Sequence, residues 1–252
     1  MRIAVVGATG NIGARTVAAL ERHGHDVVPI SRSRGVDLTT GVGLVGALEG
    51  ADAVVDALNA PYGDEASTFA YFTRATENLL AAEERAGVGH HVLLSIVGLH
   101  RGGVNAHRAG KRAQERLVSA GRVPWSIVPT THFHDFAATV ASWSTQDGVA
   151  EIAPLLVQPV APDDVAAVLA EVATGAPVGR HRDVAGPDRH DLVDMARRTF
   201  AAQGREVRIV PTWSGEFGTD DAGDVLLPGP DALIAPITFD RWLDEVRAGV
   251  AS

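Results

Sequence analysis

The chain contains no cysteine, and Lys111 is the single lysine among its 22 basic residues. Without cysteine there are no disulfides, no thiol nucleophile and no cysteinyl metal site, which fits a reducing compartment. Tyrosine is almost as scarce, at two residues, Tyr62 and Tyr71. No apolar run is long enough to span a bilayer, and Met1 and Arg2 lead straight into a strand signal without a basic, then apolar, leader. A cytoplasmic protein with no membrane partner is therefore expected. Basic residues number 22 against 31 acidic ones, giving a net charge of −9, so no nucleic-acid footprint is expected. The 252 residues are 46% hydrophobic, enough for a substantial core, and they carry no internal repeat or low-complexity tract.

What is present begins at Ile3 to Gly13, IAVVGATGNIG. Four apolar residues signal a buried strand, and Gly7, Gly10 and Gly13 follow at G-x-x-G-x-x-G spacing before a helical pattern starts. Gly7 permits the tight turn, Gly10 admits backbone N–H groups close to a pyrophosphate, and Gly13 lets the helix lie against the sheet. The helix N-terminus, with Thr9, Asn11 and Ile12 around it, is then aimed at phosphate. The stretch predicts dinucleotide binding; an ordinary glycine-rich strand-to-helix turn is the plainer alternative.

The following pattern alternates strand and helix. A helix is predicted over 11–23 with Gly24 as its stop, a strand over 26–30, a short edge strand over 36–38 and a short helix over 42–48 closed by Gly50. Further on come a strand over 52–58, a helix over 66–85 with Phe69, Phe72, Leu79 and Leu80 on its buried face, a strand over 91–97, a helix over 106–120 and a strand over 125–128. His90 and His91 read as a solvated turn ahead of their strand. Such alternation predicts an α/β fold with a doubly wound parallel sheet and right-handed crossovers. Beyond residue 135 the pattern loosens: helices over 163–174, 188–203 and 239–250 and a strand over 207–210 are expected. Residues 1–135 are thus read as a dinucleotide-binding core. Residues 136–252 are read as a smaller substrate-capping region packed on that core in one compact unit, with Trp143, Trp213 and Phe217 either lining a pocket or filling core.

Ligands of open parallel sheets sit beyond the strand C-termini, so the residues there identify the cofactor. After the second strand comes Ser31-Arg32-Ser33-Arg34, with no carboxylate to accept from a 2′-hydroxyl. Guanidinium and hydroxyl donors suit a 2′-phosphate and point to NADP (NADPH); a solvated Arg-rich turn is the alternative. Asp37 is placed near the adenine, and Ala57, Leu58, Pro129 and Thr130 end the strands that run beside the cofactor. His132, His134 and Asp135 offer metal-ligand chemistry, yet no partner motif at ligand spacing appears, and no metal is expected. Ser95 lies in Leu-Ser-Ile-Val-Gly, which is no G-x-S-x-G elbow, so a Ser-His-Asp hydrolase is disfavoured.

Taken together, Val-Gly-Ala-Thr-Gly-Asn-Ile-Gly at 6–13, the strand-ending Ser95, Lys111 in Lys-Arg-Ala-Gln-Glu, and Trp-Ser-Ile-Val-Pro-Thr-Thr-His-Phe at 125–133 resemble the NmrA-like, atypical branch of the short-chain dehydrogenase/reductase superfamily. The resemblance covers nearly all of the chain. Its motifs are most specific before residue 136; afterwards only Ala161 to Ala166 and the Ala185-Gly186-Pro187 turn are familiar. It implies a Rossmann-type fold, a nicotinamide cofactor and a pocket built by the C-terminal third.

Active relatives in that superfamily use Ser with Tyr-x-x-x-Lys. Ser95 and Lys111 match, but His107 stands where the tyrosine belongs, and neither tyrosine of this chain has a lysine four residues on. His107 and Lys111 share one helix face at i,i+4. Lys111 is expected to hold the nicotinamide ribose, because a compact ammonium reaches hydroxyls that a guanidinium fork does not. Two readings of His107 stand. In one, imidazole donates to the substrate oxygen alongside Ser95, its acidity raised by the lysine cation. The chain is then an NADP-dependent oxidoreductase moving hydride between nicotinamide and a small carbonyl or activated alkene. In the other, position 107 is merely polar, and the protein senses NADP redox state for a protein partner. An isomerase or epimerase with tightly held cofactor is a third possibility. Homo-oligomerisation is compatible with the sequence but encoded by no motif.

Overall fold

The computed structural model describes residues 1–61, 63–103, 105–214 and 217–249. In chain order the first half gives β1 (Arg2–Val6), α1 (Asn11–Arg22), β2 (Asp26–Ile30), α2 (Leu44–Leu48), β3 (Ala53–Asp56), α3 (Glu65–Ala86), β4 (His90–Ile96), α4 (Ala106–Ala120) and β5 (Trp125–Thr130). The second half gives α5 (Phe136–Ser144), β6 (Val149–Ile152), β7 (Leu156–Val157), α6 (Pro162–Thr174), β8 (Gly179–Arg180), β9 (Val184–Ala185), β10 (His190–Asp191), α7 (Leu192–Ala202), β11 (Arg208–Pro211), β12 (Leu233–Ile234) and α8 (Phe239–Arg247). No helix among the described residues is long and apolar enough to cross a membrane.

By packing, the chain divides into two compact units. The first comprises residues 1–99, 104–129 and 165–181. Its strands form a parallel sheet in the order β2-β1-β3-β4-β5, with β8 also paired to β5, so the expected Rossmann-type α/β sheet is present. After Arg2 in β1, and before Asp56 in β3, the strands are wholly apolar and buried because both sheet faces are covered, as parallel strands require. α3 starts where Asp64 accepts from the backbone N–H of Ser67, and it buries Phe72, Ala75 and Leu79 against this sheet. Phe69, expected on the buried face, is instead 40% exposed.

Two further expectations in this unit are corrected. Residues 36–38 form no strand: the Asp37 carboxylate accepts from the backbone and hydroxyl of Thr39 and folds the segment into a turn, leaving β2 as the sheet edge. His90 and His91 are not a solvated turn. Both lie inside β4 and are buried, because each finds an internal partner: Ser126 Oγ lies 2.8 Å from His90 Nε2, and Glu83 lies 2.8 Å from His91 Nδ1.

The second unit comprises residues 100–103, 130–164 and 182–252. Its core gathers α5, α7 and α8 around Ile152, Leu155, Met195, Phe200, Phe239 and Trp242. Two small sheets accompany it, β7 with β10 antiparallel and β6 with β11 parallel, while β9 pairs with Thr130 and with β12. α7 begins at Leu192 rather than 188, since Asp191 caps it by accepting from Asp194 N while His190 is held in β10. The strand expected at 207–210 runs one residue later. α8 is described to Arg247; the expected end at Val250 lies outside the described residues, as does Tyr62. Phe217 belongs to this core, whereas Trp143 and Trp213 are 50% and 40% exposed. α5 and β6 had no counterpart in the sequence reading.

Candidate functional site

Strand register places the first unit's candidate residues in one row. Val6 pairs with Ile30 and with Asp56, and Asp56 with Leu93, so β1, β2 and β3 end level and pass into Gly7, Ser31 and Ala57. At Gly7, φ is +73° and a Cβ would stand 2.7 Å from the Ala57 carbonyl oxygen. At Gly13 a Cβ would stand 2.1 Å from the Gly7 carbonyl oxygen. Only glycine fits either place, so the loop is closed down onto its own helix. Gly10 serves as the N-cap of α1 without a side-chain cap, and the first turn carries no acidic residue. Thr9, Gly10 and Asn11 are exposed there, while Ile12 and Gly13 anchor the helix underneath. A helix start with neither a side-chain cap nor a competing carboxylate suits a pyrophosphate, so the residues fit a dinucleotide.

At the end of β2, Arg32–Arg34 form a single 3-10 turn; the Ser31 and Ser33 hydroxyls lie 2.9 Å apart and Arg32 and Arg34 are exposed. Asp37 is spent on its Thr39 turn, and those hydrogen bonds, aided by Arg32, hold its carboxyl below the ordinary range. Beyond β3, Leu58 N donates to Asp56 Oδ1 at 2.9 Å, fixing Ala57 and Leu58 at the row. Pro129 is buried within β5 in this unit; Thr130 is counted with the second unit, where it pairs with Val184.

α4 carries His107, Lys111 and Glu115 at successive i,i+4 positions on one face. His107 Nε2 lies 2.7 Å from Asn59 Oδ1, and its ring meets Phe72 edge-on at 5.6 Å. Burial first, then the Lys111 and Arg108 cations, push its imidazole down to about 4. The imidazole is therefore neutral at pH 7, with Nε2–H as the donor toward Asn59. Lys111 is buried; its ammonium donates to Leu94 O and to Gln114 Oε1, both at 2.7 Å, and sits 5.5 Å from the Phe72 ring centre. Burial lowers it to about 8, against the opposing pull of Asp56 and Glu115. Ser95, 1% exposed, gives its proton to Glu115 Oε1 at 2.5 Å, and Glu115 Oε2 also accepts from Arg180. Lys111 and His107 are thus brought together, while Ser95 is tied to the next rung of the same helix face.

Besides Glu115, three participants escaped the sequence reading. Gln114 lies three residues after Lys111, and its Nε2 donates to Asp56 Oδ2 at 2.7 Å. Asp56 closes an otherwise apolar strand, a buried carboxylate that should have flagged a polar partner. Gly110 is the third: a Cβ there would stand 2.2 Å from Phe72 Cδ2, so the ring can lie against the His107–Lys111 face only because position 110 has no side chain. Among the described residues no group of three metal-ligating side chains occurs. His134 is instead enclosed by the rings of Phe239 and Trp242, at 5.6 and 5.7 Å, and the His132 ring lies tilted against Phe136 at 4.2 Å, all within the second unit.

The profile of the NAD(P)H-binding family matches residues 7–175, more than half of the chain. A search of curated proteins finds no match. Among solved structures, a nucleoside-diphosphate-sugar epimerase from Staphylococcus aureus superposes with a TM-score of 0.71 at 17% identity, covering 97% of this chain and 100% of that one. The NADPH-dependent quinone oxidoreductase QOR2 from Escherichia coli, complexed with NADPH, gives 0.67 at 16% identity, covering 83% and 78%. Triphenylmethane reductase from Citrobacter sp., complexed with NADP(H), gives 0.61 at 17%, covering 84% and 79%. At these identities the likeness is one of fold.

Proposed function

The chain belongs to the NAD(P)H-binding family, and from that premise we propose that it is an NADP(H)-dependent oxidoreductase of the atypical short-chain dehydrogenase/reductase kind acting on a small carbonyl or activated alkene. The observation that carries the reading is the pairing on α4 of a buried ammonium and a half-buried imidazole one turn apart, at the level where the strands end. When bound, NADPH supplies the hydride. Ser31, Arg32 and Ser33 hold the 2′-phosphate with guanidinium and hydroxyl donors. Leu94 O and Gln114 Oε1 take two of the three N–H bonds of Lys111, and the third serves a ribose hydroxyl. His107, neutral at pH 7, polarises the substrate oxygen as a hydrogen-bond donor rather than as an imidazolium, exchanging Asn59 for that oxygen, and the proton that completes the reduced product comes from solvent. Ser95 makes the second contact by exchanging Glu115 in the same way.

One observation favours a rival reading: the only proton of the Ser95 hydroxyl is already committed to a carboxylate in a buried place. A protein that binds NADP(H) and reports its redox state to a protein partner needs no free serine. The deciding experiment combines calorimetric titration with NADPH and NADH and a turnover screen over carbonyls and enones. The oxidoreductase reading expects NADPH to be preferred, Arg32→Ala to weaken NADPH about tenfold to a hundredfold while sparing NADH, and NADPH oxidation with some panel member. Tight NADPH binding with no turnover anywhere would transfer the assignment to the sensor. Equal affinity for NADH and NADPH would sink the NADP assignment.

A further inference from the structure

Beneath the row of strand ends runs a chain of buried polar groups. Lys111 Nζ donates to Gln114 Oε1 at 2.7 Å, and Gln114 Nε2 donates to Asp56 Oδ2 at 2.7 Å. The other oxygen of Asp56 accepts from the backbone N–H of Leu58 at 2.9 Å. Asp56 and Gln114 are wholly inaccessible and Lys111 nearly so. The orientation of the Gln114 amide is dictated by its neighbours, since a carboxylate only accepts and an ammonium only donates. An amide is therefore the neutral side chain that joins the two. Glutamate at 114 would set two carboxylates against each other, and leucine would leave an ammonium and a carboxylate buried and unbridged.

We propose that Asp56 and Gln114 are positioning residues for Lys111: they keep its ammonium charged and hold it at the strand ends, and so set how tightly the nicotinamide ribose is bound. The proposal rests on reading Lys111 as the ribose ligand. The same carboxylate fixes Leu58, so one buried charge aligns both the β3 exit and the lysine. A charge in low dielectric acts along a hydrogen-bonded chain more strongly than it would in water. Other groups face this chain from every element packed on it, among them Tyr71 of α3, whose phenol interacts with the Asp56 charge. His91 of β4 lies 4.0 Å from Asp56 with Glu83 of α3 behind it, Leu94 O and Ser95 belong to β4, His107, Arg108 and Glu115 flank Lys111 on α4, and the Phe72 ring of α3 covers it. Gln114 is what connects Lys111 to a carboxylate that does not itself touch it.

Because the chain has one lysine, protein labelled with carbon-13 at lysine Cε and carrying a lysine-free tag yields one side-chain NMR signal, a direct titration of Lys111 that needs no turnover. Wild-type protein should titrate near 8. Asp56→Asn, which retains an acceptor for Leu58, and Gln114→Leu should each lower the midpoint by about one unit. NADPH affinity at pH 7.5 should then weaken about threefold, following the smaller charged fraction, with less loss at pH 6.5. Midpoints and affinities that stay at wild-type values in either folded variant overturn the proposal. Lys111→Met separates the two levels. If it binds NADPH as tightly as wild type, the ribose reading itself fails. If it loses affinity about tenfold or more while Asp56→Asn and Gln114→Leu lose none, only the positioning inference fails.

Discussion

In the first unit Glu83, His91, Asp56, Gln114 and Lys111 form a buried polar succession between β3, β4, α3 and α4, each member within reach of a partner of complementary chemistry. In the second, His134 is enclosed by the Phe239 and Trp242 rings among the apolar side chains of α5, α7 and α8. The same residue type is thus buried under opposite electrostatics. Burial opposes charge on His91, but the Glu83 carboxylate, and Asp56 beyond it, leave its imidazole above the ordinary value. For His134 burial dominates, against a contribution from the Pro159 carbonyl, and the imidazole falls to about 4. Burial alone does not mark a functional histidine; what the neighbours offer decides whether buried polarity belongs to a network or to packing.

The largest expected effect breaks the network side of this contrast. Burial pushes the Glu83 carboxyl above its ordinary range against the pull of His91. Replacing His91 by leucine therefore removes what holds it charged, leaves a buried acid without its partner and should destabilise the protein by about 3–5 kcal/mol, read from urea unfolding. The double variant His91→Leu, Glu83→Leu should recover most of that loss, because no charge is left unpaired. A single variant as stable as wild type would show that the pair is not charged in the folded state.

A second test uses the opposite pH signs. The raised His91 contributes stability that is whole below about 6.5 and is lost as pH rises through its folded value. The depressed His134 does the reverse: between about 6.5 and 4 the unfolded chain takes up a proton that the folded chain refuses, so its contribution is lost as pH falls. That loss is on the order of 3 kcal/mol at full extent. His134→Phe should therefore flatten the acid limb of the stability profile measured by denaturation at pH 7 and pH 4.5, while leaving the neutral limb. His107 shares the acid-limb sign, so only part of the wild-type slope should disappear. An acid limb unchanged by the substitution would place the titration elsewhere.

The smallest effect concerns the aromatic cover on the polar chain. Gly110→Ala drives a methyl into Phe72 and should cost about 1–3 kcal/mol in thermal or urea melts. Its sharper readout is the disturbance of Lys111 and His107, both in ring contact with Phe72. An unaltered Lys111 signal in this variant would show that the ring does not hold the lysine.

Much of the first unit was readable before folding. Gly7 and Gly13, the strand at 26–30, the helix at 106–120 and the i,i+4 relation of His107 to Lys111 are local properties, set by backbone sterics and helical period. The edge strand at 36–38 was misread because Asp37 and Thr39 close a local turn that outcompetes sheet pairing. His90 and His91 were misread for a different reason. A polar pair at a strand start reads as solvated unless its distant partners Ser126 and Glu83 are known. In the second unit the short strands β6, β7, β9 and β10 have too few residues for a period to show, and their pairing comes from neighbours remote in sequence.

The sequence by itself determined that a glycine-spaced loop joins the first strand to the first helix, that a lysine sits one helical turn beyond a histidine, and that no Tyr-x-x-x-Lys exists. These follow from spacing, which the helix and the strand convert directly into position. Only the tertiary structure decided that Ser95 gives its proton to Glu115, that His107 is neutral, and that Asp56 reaches Lys111 through Gln114. Hydrogen-bond partners across a sheet and the energetic penalty on a buried charge depend on what packs against a residue, and no spacing along the chain contains that.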